Sequence, residues 1–126
     1  MKLTYCFFAL TFLSPELIAQ NVGVGTLTPN PNAMLHVDLG LSTSKGFLVA
    51  GIYDAASTIP DLGAGSRMIY YPGKAAFRAG NVTGTQWNNI NVGLQSTAIG
   101  TNSIASGSLS TAVGFSSSAS EYASTA

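Results

Sequence analysis

The stretch Ser96–Ala126, STAIGTNSIASGSLSTAVGFSSSASEYASTA, decides the fold because its small residues keep a fixed spacing. Serine occupies every seventh position from Ser96, and alanine occupies every seventh position from Ala98. A flexible linker has no reason to keep such a phase, so we expect an ordered repeat. The residues that define the repeat columns are Ser96, Ala98, Gly100, Ser103, Ala105, Gly107, Ser110, Ala112, Gly114 and Ala119.

A period of seven also occurs in coiled coils, but the composition of these columns excludes that structure. Each glycine would cost a helix about 1 kcal/mol, and the leucine or isoleucine seam of a coiled coil is missing. In a strand, the serine, alanine and glycine of one unit lie two residues apart and share a face. We therefore predict a flattened parallel β-roll in which two short strands, one per seven residues, make one full turn.

The column that follows alanine indicates that the full repeat has fourteen residues, because it reads Ile99, Ser106, Val113, Ser120. One outer face of the roll is then apolar and the opposite face is polar. A narrow roll filled by alanine and serine buries little apolar area and is marginal alone, at about 25 cal/mol for each Å² buried. We expect Ile99 and Val113 to form an interface between subunits.

The sequence STAIGTNSIASGSLSTAVG resembles the head repeats of YadA-like trimeric autotransporter adhesins, and the resemblance covers Asn91–Ala126. It implies a left-handed parallel β-roll assembled as a homotrimer. Glu121 departs from the pattern, since it replaces the glycine of the repeat. The segments NVGVGTLTPNPNAMLHVD, KGFLV and KAAFRAGNVTGTQW are similar to the front part of secreted head-repeat or tail-fibre-like proteins that are common in Bacteroidota-type bacteria.

This resemblance implies a non-enzymatic cell-surface or secreted bacterial module that binds a protein or glycan on host, matrix or other cells. The first alternative is a phage-derived tail-fibre segment that recognises surface glycans. The second is an enzyme whose catalytic part lies outside this sequence. A stalk and a membrane barrel elsewhere in the protein would favour the adhesin, and a chaperone domain would favour the tail fibre.

The first nineteen residues are expected to be a secretory signal peptide. Lys2 gives a positive start, Leu3–Leu13 is an apolar run, and Ser14 and Pro15 end the run before a cut after Ala19. The run is shorter than the roughly 20 residues that cross a bilayer, so we expect export without membrane insertion of the mature chain. The only cysteine of the chain lies in this segment, so no disulfide is expected after cleavage.

Residues 20–89 are predicted to form a β region with a hairpin, and residues 90–126 to form the roll, so the fold class is all-β. The sequence AMLHVDL alternates like a strand, Lys45–Ile52 reads as an apolar strand, and SRMIYYPGKAAFRAG reads as two strands joined at Pro72 and Gly73. Two groups of residues are assigned near the hairpin. The expected core aromatics are Tyr70, Tyr71, Phe77 and Trp87, and the expected solvated edge charges are Arg67 and Arg78.

Composition and motifs argue against catalysis and against nucleic-acid binding. Five basic and five acidic residues balance, so no basic surface is expected. His36 and Asp38 share a face of their predicted strand, but the chain has no second histidine and no serine nucleophile motif. The glycine pair of GVGTLT lacks the third glycine of a phosphate-binding loop, since Thr28 stands there. We expect no enzyme activity, no cofactor and no metal.

Overall fold

The structure, a computed structural model, describes residues 21–41 and 44–126, and these form two compact units divided between Phe47 and Leu48. The predicted signal peptide, residues 1–19, lies outside the described residues. Among the described residues the regular elements are strands apart from one short 3-10 helix, Asn89–Asn91, so the all-β class is confirmed. The predicted division into residues 20–89 and 90–126 stays a prediction.

The first unit contains a small parallel sheet. Strand β1 (Val22–Val24) pairs with strand β2 (Leu35–Val37), which lies within the strand-like AMLHVDL segment. The connection between them turns at the proline-rich sequence, where the Ala33 amide donates to the Asn30 carbonyl at 3.0 Å. Parallel strands need such a crossover connection, because a tight two-residue turn joins only antiparallel strands.

The second unit begins its regular structure with the predicted hairpin. Strands β3 (Gly65–Tyr71) and β4 (Ala76–Val82) are antiparallel, and Tyr71 lies opposite Ala76 at the closed end. The turn between them is closed by the Ala75 amide, which donates to the Pro72 carbonyl at 3.0 Å. Pro72 is the first residue of this turn, so Gly73 and Lys74 occupy its two central positions.

The predicted strand at Lys45–Ile52 is wrong. The structure gives this segment no strand, and the side chains of Leu48, Val49 and Ile52 are exposed. A strand needs a neighbouring backbone to pair with, and an apolar run does not supply one. The backbone after this segment is instead anchored to the hairpin turn, where the Asp54 amide donates to the Gly73 carbonyl at 2.9 Å.

The repeat region contributes four short strands that pair in parallel with partners fourteen residues away. The strands are β5 (Thr97–Thr101), β6 (Ile104–Ala105), β7 (Thr111–Phe115) and β8 (Ser118–Ala119). Thr97 lies opposite Thr111 in the pair β5 and β7, and Ile104 lies opposite Ser118 in the pair β6 and β8. A further parallel bridge joins Thr111 to Thr125 at the same spacing. Each fourteen-residue segment is called a coil below.

Two sheets result from this pairing. The larger sheet has the order β3, β4, β5, β7, because β4 pairs in parallel with β5. The smaller sheet contains β6 and β8, and Val92 adds a bridge to Ala105. The chain passes from one sheet to the other every seven residues, which is the spacing of the serine and alanine columns.

The space between the two sheets is filled by small side chains. The alanines form one buried cluster, Ala98, Ala105, Ala112 and Ala119, with members from both sheets. The serines Ser96, Ser103 and Ser110 are also buried. Each buried alanine removes only one methyl group from water, so the apolar contribution of each coil to stability is small.

Every corner of the coils contains one residue in the left-handed backbone region. Positive φ angles recur at seven-residue intervals, at Gln95, Asn102, Leu109, Ser116 and Ala123. The amide of each such residue can reach the preceding coil: the Leu109 amide donates to the Leu94 carbonyl and the Ser116 amide to the Thr101 carbonyl, both at 2.8 Å. These corners carry an energetic cost for residues other than glycine and asparagine.

The serine column satisfies backbone carbonyls beside these corners. The Ser110 hydroxyl donates to the Gly107 carbonyl at 2.6 Å, and the Ser103 hydroxyl donates to the Gly114 carbonyl at 2.8 Å. Alanine at position 110 would leave the buried Gly107 carbonyl without its hydroxyl donor, at a cost of about 1–3 kcal/mol. Serine is therefore required for its hydrogen bond as well as for its size.

The glycine column allows successive coils to approach closely. A Cβ atom added at Gly100 would overlap the carbonyl oxygen of Gly114, and one added at Gly107 would overlap the carbonyl oxygen of Glu121. The obstacle is backbone in both cases, so it cannot rotate away as a side chain would. Gly100 also has a φ of 118°, which side-chain-bearing residues rarely adopt.

We expect Gly107→Ala to lower the free energy of unfolding by about 1–3 kcal/mol, because the new Cβ forces two stacked coils apart. The measurement is chemical denaturation at fixed protein concentration. Gly84→Ala is the matched control, since a Cβ there meets only the Gln86 side chain, at 3.6 Å. Equal stability of the two variants would contradict the close approach.

We expect Ser116→Gly to raise the free energy of unfolding by about 0.5–1 kcal/mol. Glycine removes the steric cost of the left-handed backbone at this corner, and this gain exceeds the extra chain entropy that glycine loses on folding. Ser118→Gly should lower the free energy of unfolding, because Ser118 lies in strand β8 and glycine in a strand loses more chain entropy on folding. The same substitution two residues apart thus has opposite signs. Thermal and denaturant unfolding of both variants measure this difference.

Candidate interaction surface

The outward face of the larger sheet carries three rows of side chains that run across its four strands. Residues opposite each other in a sheet share a face, and alternate residues along a strand share it too. The first row is Ser66, Asn81, Thr101 and Phe115; the second is Met68, Ala79, Ile99 and Val113; the third is Tyr70, Phe77, Thr97 and Thr111. None of these strand residues is charged.

The second row is apolar from one edge of the sheet to the other. The exposed fractions of its side chains are 73% for Met68, 40% for Ile99 and 53% for Val113. Phe115, at the end of the first row, is 79% exposed. The two residues assigned from sequence to a trimer interface therefore lie in register on an exposed face, and that face extends into the hairpin through Ala79 and Met68.

The smaller sheet presents a more polar outer surface. Ser118 and Ser120 are exposed on either side of the buried Ala119, and Ser106 is partly exposed. Ile104 is the aliphatic residue at this surface of the two strands, and it is partly buried. The repeat region thus has one outer face with an apolar row and one dominated by hydroxyl groups.

The end of the coil stack nearest the hairpin is filled by Arg78, which occupies the register position of Ala98 in the neighbouring strand. The prediction that Arg78 is a solvated edge charge is wrong, because its side chain is fully buried. Its guanidinium donates to the Ser96 carbonyl at 2.9 Å, directly before strand β5 of the larger sheet, and to the Ala105 carbonyl at 3.0 Å in the smaller sheet. Arg78 therefore connects the two sheets at the end of the stack, beyond Ala98, where the alanine column stops.

Arg78 makes two more hydrogen bonds, to the Phe77 carbonyl and the Ser96 hydroxyl, both at 2.8 Å. Its Nε atom is buried without a partner. Burial lowers the pKa of the Arg78 guanidinium to about 10, and the electrostatic effect of Tyr71 opposes this shift. The side chain is thus still charged at neutral pH, and oxygen dipoles solvate it.

Two neighbouring side chains complete this end of the stack. Lys74 is buried and its Nζ donates to the carbonyls of Asn89 and Val92, both at 2.9 Å. Burial and the nearby Arg78 cation lower the pKa of Lys74. Trp87 is buried and its indole donates to the Ser103 carbonyl at 3.0 Å.

The four aromatics expected in one core have different environments. Trp87 is buried, and Tyr71 packs against a second buried cluster of Ile59, Ala76 and Val92. Tyr70 is exposed, and Phe77 is partly exposed, because both point to the outward face of the larger sheet. Strand alternation separates Tyr70 from Tyr71, although they are adjacent in sequence.

His36 and Asp38 each make a hydrogen bond to a nearby backbone amide. The His36 Nδ1 atom accepts from the Asn30 amide at 3.1 Å, and the Asp38 carboxylate accepts from the Gly40 amide at 2.8 Å. Within residues 21–41 and 44–126 there is no group of three or more side chains that could hold a metal ion, and no pocket. His36 and Asp38 thus accept from different backbone amides.

The comparisons with protein families, curated proteins and solved structures found no match to this chain. In the part of the chain that the structure describes, no helix has the length and apolarity needed to cross a membrane.

Sequence reasoning missed Arg78 and the left-handed corners. Arg78 carries no signal as a single residue, and only its register opposite Ala98 reveals its position inside the stack. The corners do carry a signal, because each precedes a residue of the serine column. Their residue types vary, from Leu109 to Ala123, and therefore hide the shared conformation.

We expect Arg78→Ala to lower the free energy of unfolding by about 3 kcal/mol, because it opens a cavity and leaves buried carbonyls unpaired. Arg78→Lys should recover part of this loss, since one ammonium group cannot reproduce the bonds to both sheets. Arg67→Ala is the control, because the Arg67 guanidinium bonds only loop carbonyls, those of Leu62 and Gly63. Denaturant unfolding of the three variants tests this order, and a neutral Arg78→Ala would refute it.

Proposed function

We propose that the chain is an exported, non-enzymatic, adhesin-like structural module whose repeat region is a parallel β-roll of fourteen-residue repeats. The parallel pairing of Ile99 with Val113 and of Ala105 with Ala119 supports this geometry. The resemblance to YadA-like head repeats supports its assignment to a bacterial surface or secreted fibre. The left-handed sense of the roll follows from that resemblance.

The module assembles as a homotrimer through the outward face of the larger sheet. The observation that carries this proposal is the exposed apolar row of Met68, Ile99 and Val113 on a face without charged strand residues. When copies of one chain pack the same face together, like charges on that face would repel each other. The strand residues of this face carry no charge, so this repulsion is absent. The interior of the coils gains little from its alanines, so burial of this row between copies supplies stability that one chain lacks.

Adhesion would then use the surface that remains outside the trimer contact. Binding is spread over repeated hydroxyl-rich positions rather than collected in a pocket, in keeping with the exposed Ser118 and Ser120 of the smaller sheet. Three copies present the same surface three times, and linked binding events can raise the overall affinity by about 10²–10⁴. The partner is a protein or glycan of a host, matrix or cell surface.

The oligomeric state tests the assembly. We expect the exported chain to sediment at three times its monomer mass, and the double variant Ile99→Asp with Val113→Asp to sediment as a monomer, because each contact would bury unpaired carboxylates. The pair Ser118→Asp with Ser120→Asp is the matched control and should leave the mass unchanged. Ile99→Thr with Val113→Thr should make the mass depend on concentration, since it weakens the apolar contact without adding charge.

If the variant Ile99→Asp with Val113→Asp still sediments as a trimer, the trimer contact is not the outward face of the larger sheet. Retention of the fluorescent chain on matrix-coated surfaces and on whole cells tests the adhesive role separately. The wild-type chain should be retained, and the monomeric variant should be washed off. A wild-type trimer that is retained on neither surface would refute adhesion while leaving the assembly intact.

A further inference from the structure

Glu121 stands in the glycine column that follows the paired residues of the smaller sheet by one or two positions. The column continues from Gly93 through Gly107 to Glu121 at fourteen-residue spacing. A Cβ added at Gly93 would overlap the carbonyl oxygen of Gly107, and one added at Gly107 would overlap the carbonyl oxygen of Glu121. In each case the obstacle is the backbone of the coil that follows. A residue with a Cβ fits this column only where no coil follows at the same spacing.

The two sheets impose different requirements on their glycines. In the larger sheet Gly80, Gly100 and Gly114 have φ angles of 137°, 118° and 125°, so a side chain there is strained whatever the space. Gly93 and Gly107 have no such angle, and only the close approach excludes a side chain. The smaller sheet is therefore the place where a single substitution can end the stack without straining the backbone.

We propose that Glu121 closes the edge of the smaller sheet to any further strand in the fourteen-residue register, whether from the same chain or from a second copy. Its Cβ occupies the position that the next carbonyl oxygen would need. Its side chain is exposed, and covering it would also bury an unpaired carboxylate. Charged residues at sheet edges prevent strand addition in the same manner in many β proteins.

The larger sheet ends differently at the same level of the stack. Its strand β7 accepts the next segment of chain, since the Thr111 amide donates to the Ser124 carbonyl and the Val113 amide to the Ala126 carbonyl, both at 2.9 Å. Closure is thus confined to the smaller sheet. The proposal rests on the observed register and goes beyond the proposed function, because it requires neither trimer formation nor adhesion.

The test extends the full chain after Ala126 by a copy of Ile99–Ala112, which supplies one more coil. Four versions carry Glu, Gln, Ala or Gly at position 121, and hydrogen exchange reports on the added segment. With Glu121→Gly, the added amides of the smaller sheet should become at least about tenfold more protected than in the unsubstituted extended chain. Gln and Ala should leave them unprotected, because both retain the Cβ.

Ser120→Gly in the extended chain is the control for added backbone flexibility, and it should leave the added segment unprotected. Three outcomes would overturn the proposal: protection of the new strand with Glu121 present, its absence with Glu121→Gly, or protection with Glu121→Ala. Sedimentation of each version separates this result from the trimer. If the added coil is protected in a Glu121→Gly variant that sediments as a monomer, the role of Glu121 is supported and the homotrimer is rejected. If the added coil is unprotected in a Glu121→Gly variant that sediments as a trimer, the homotrimer is supported and the role of Glu121 is rejected.

Discussion

Parallel strand pairing with a register of fourteen residues is the constraint on which the repeat region depends. It brings Gly100 against Gly114 and Gly107 against Glu121 so closely that a side chain has no room between the backbones. It also places Ala98, Ala105, Ala112 and Ala119 in one interior cluster. The tail is rich in glycine, alanine and serine, a composition that on its own resembles a linker. The short distance between neighbouring coils requires such small residues.

A thin interior leaves the hydrogen bonds with a large share of the stabilisation. The buried serines bond to carbonyls beside the left-handed corners, so their polar groups are satisfied inside. At the end of the stack near the hairpin, Arg78 bonds to both sheets and replaces the contacts that another coil would make. Hairpin and repeats therefore depend on each other, because β4 is both a strand of the hairpin and the neighbour of β5.

Sequence periodicity was sufficient to predict the positions that repeat, because a column of identical residues records a shared environment. It predicted the all-β class and the hairpin around Pro72 and Gly73, and it assigned Ile99 and Val113 to an outer face, where both are exposed. It failed where the environment depends on a distant partner. Lys45–Ile52 has the composition of a strand but no backbone to pair with, and Arg78 is buried only because β4 aligns it with Ala98. The extension of the apolar row to Met68 was likewise visible only from the register.

The left-handed residues at seven-residue intervals also govern how such a chain can change its length during evolution. Duplication or loss of a whole coil keeps each residue from Gln95 to Ala123 on its corner and each serine beside it. An insertion of a single residue shifts every later corner into a strand and turns the alanines outward, because side chains alternate along a strand. Recombination between repeats therefore preserves the fold only when it adds or removes whole coils. A gene of this type can then lengthen or shorten its product without any change in the residues that fill the interior.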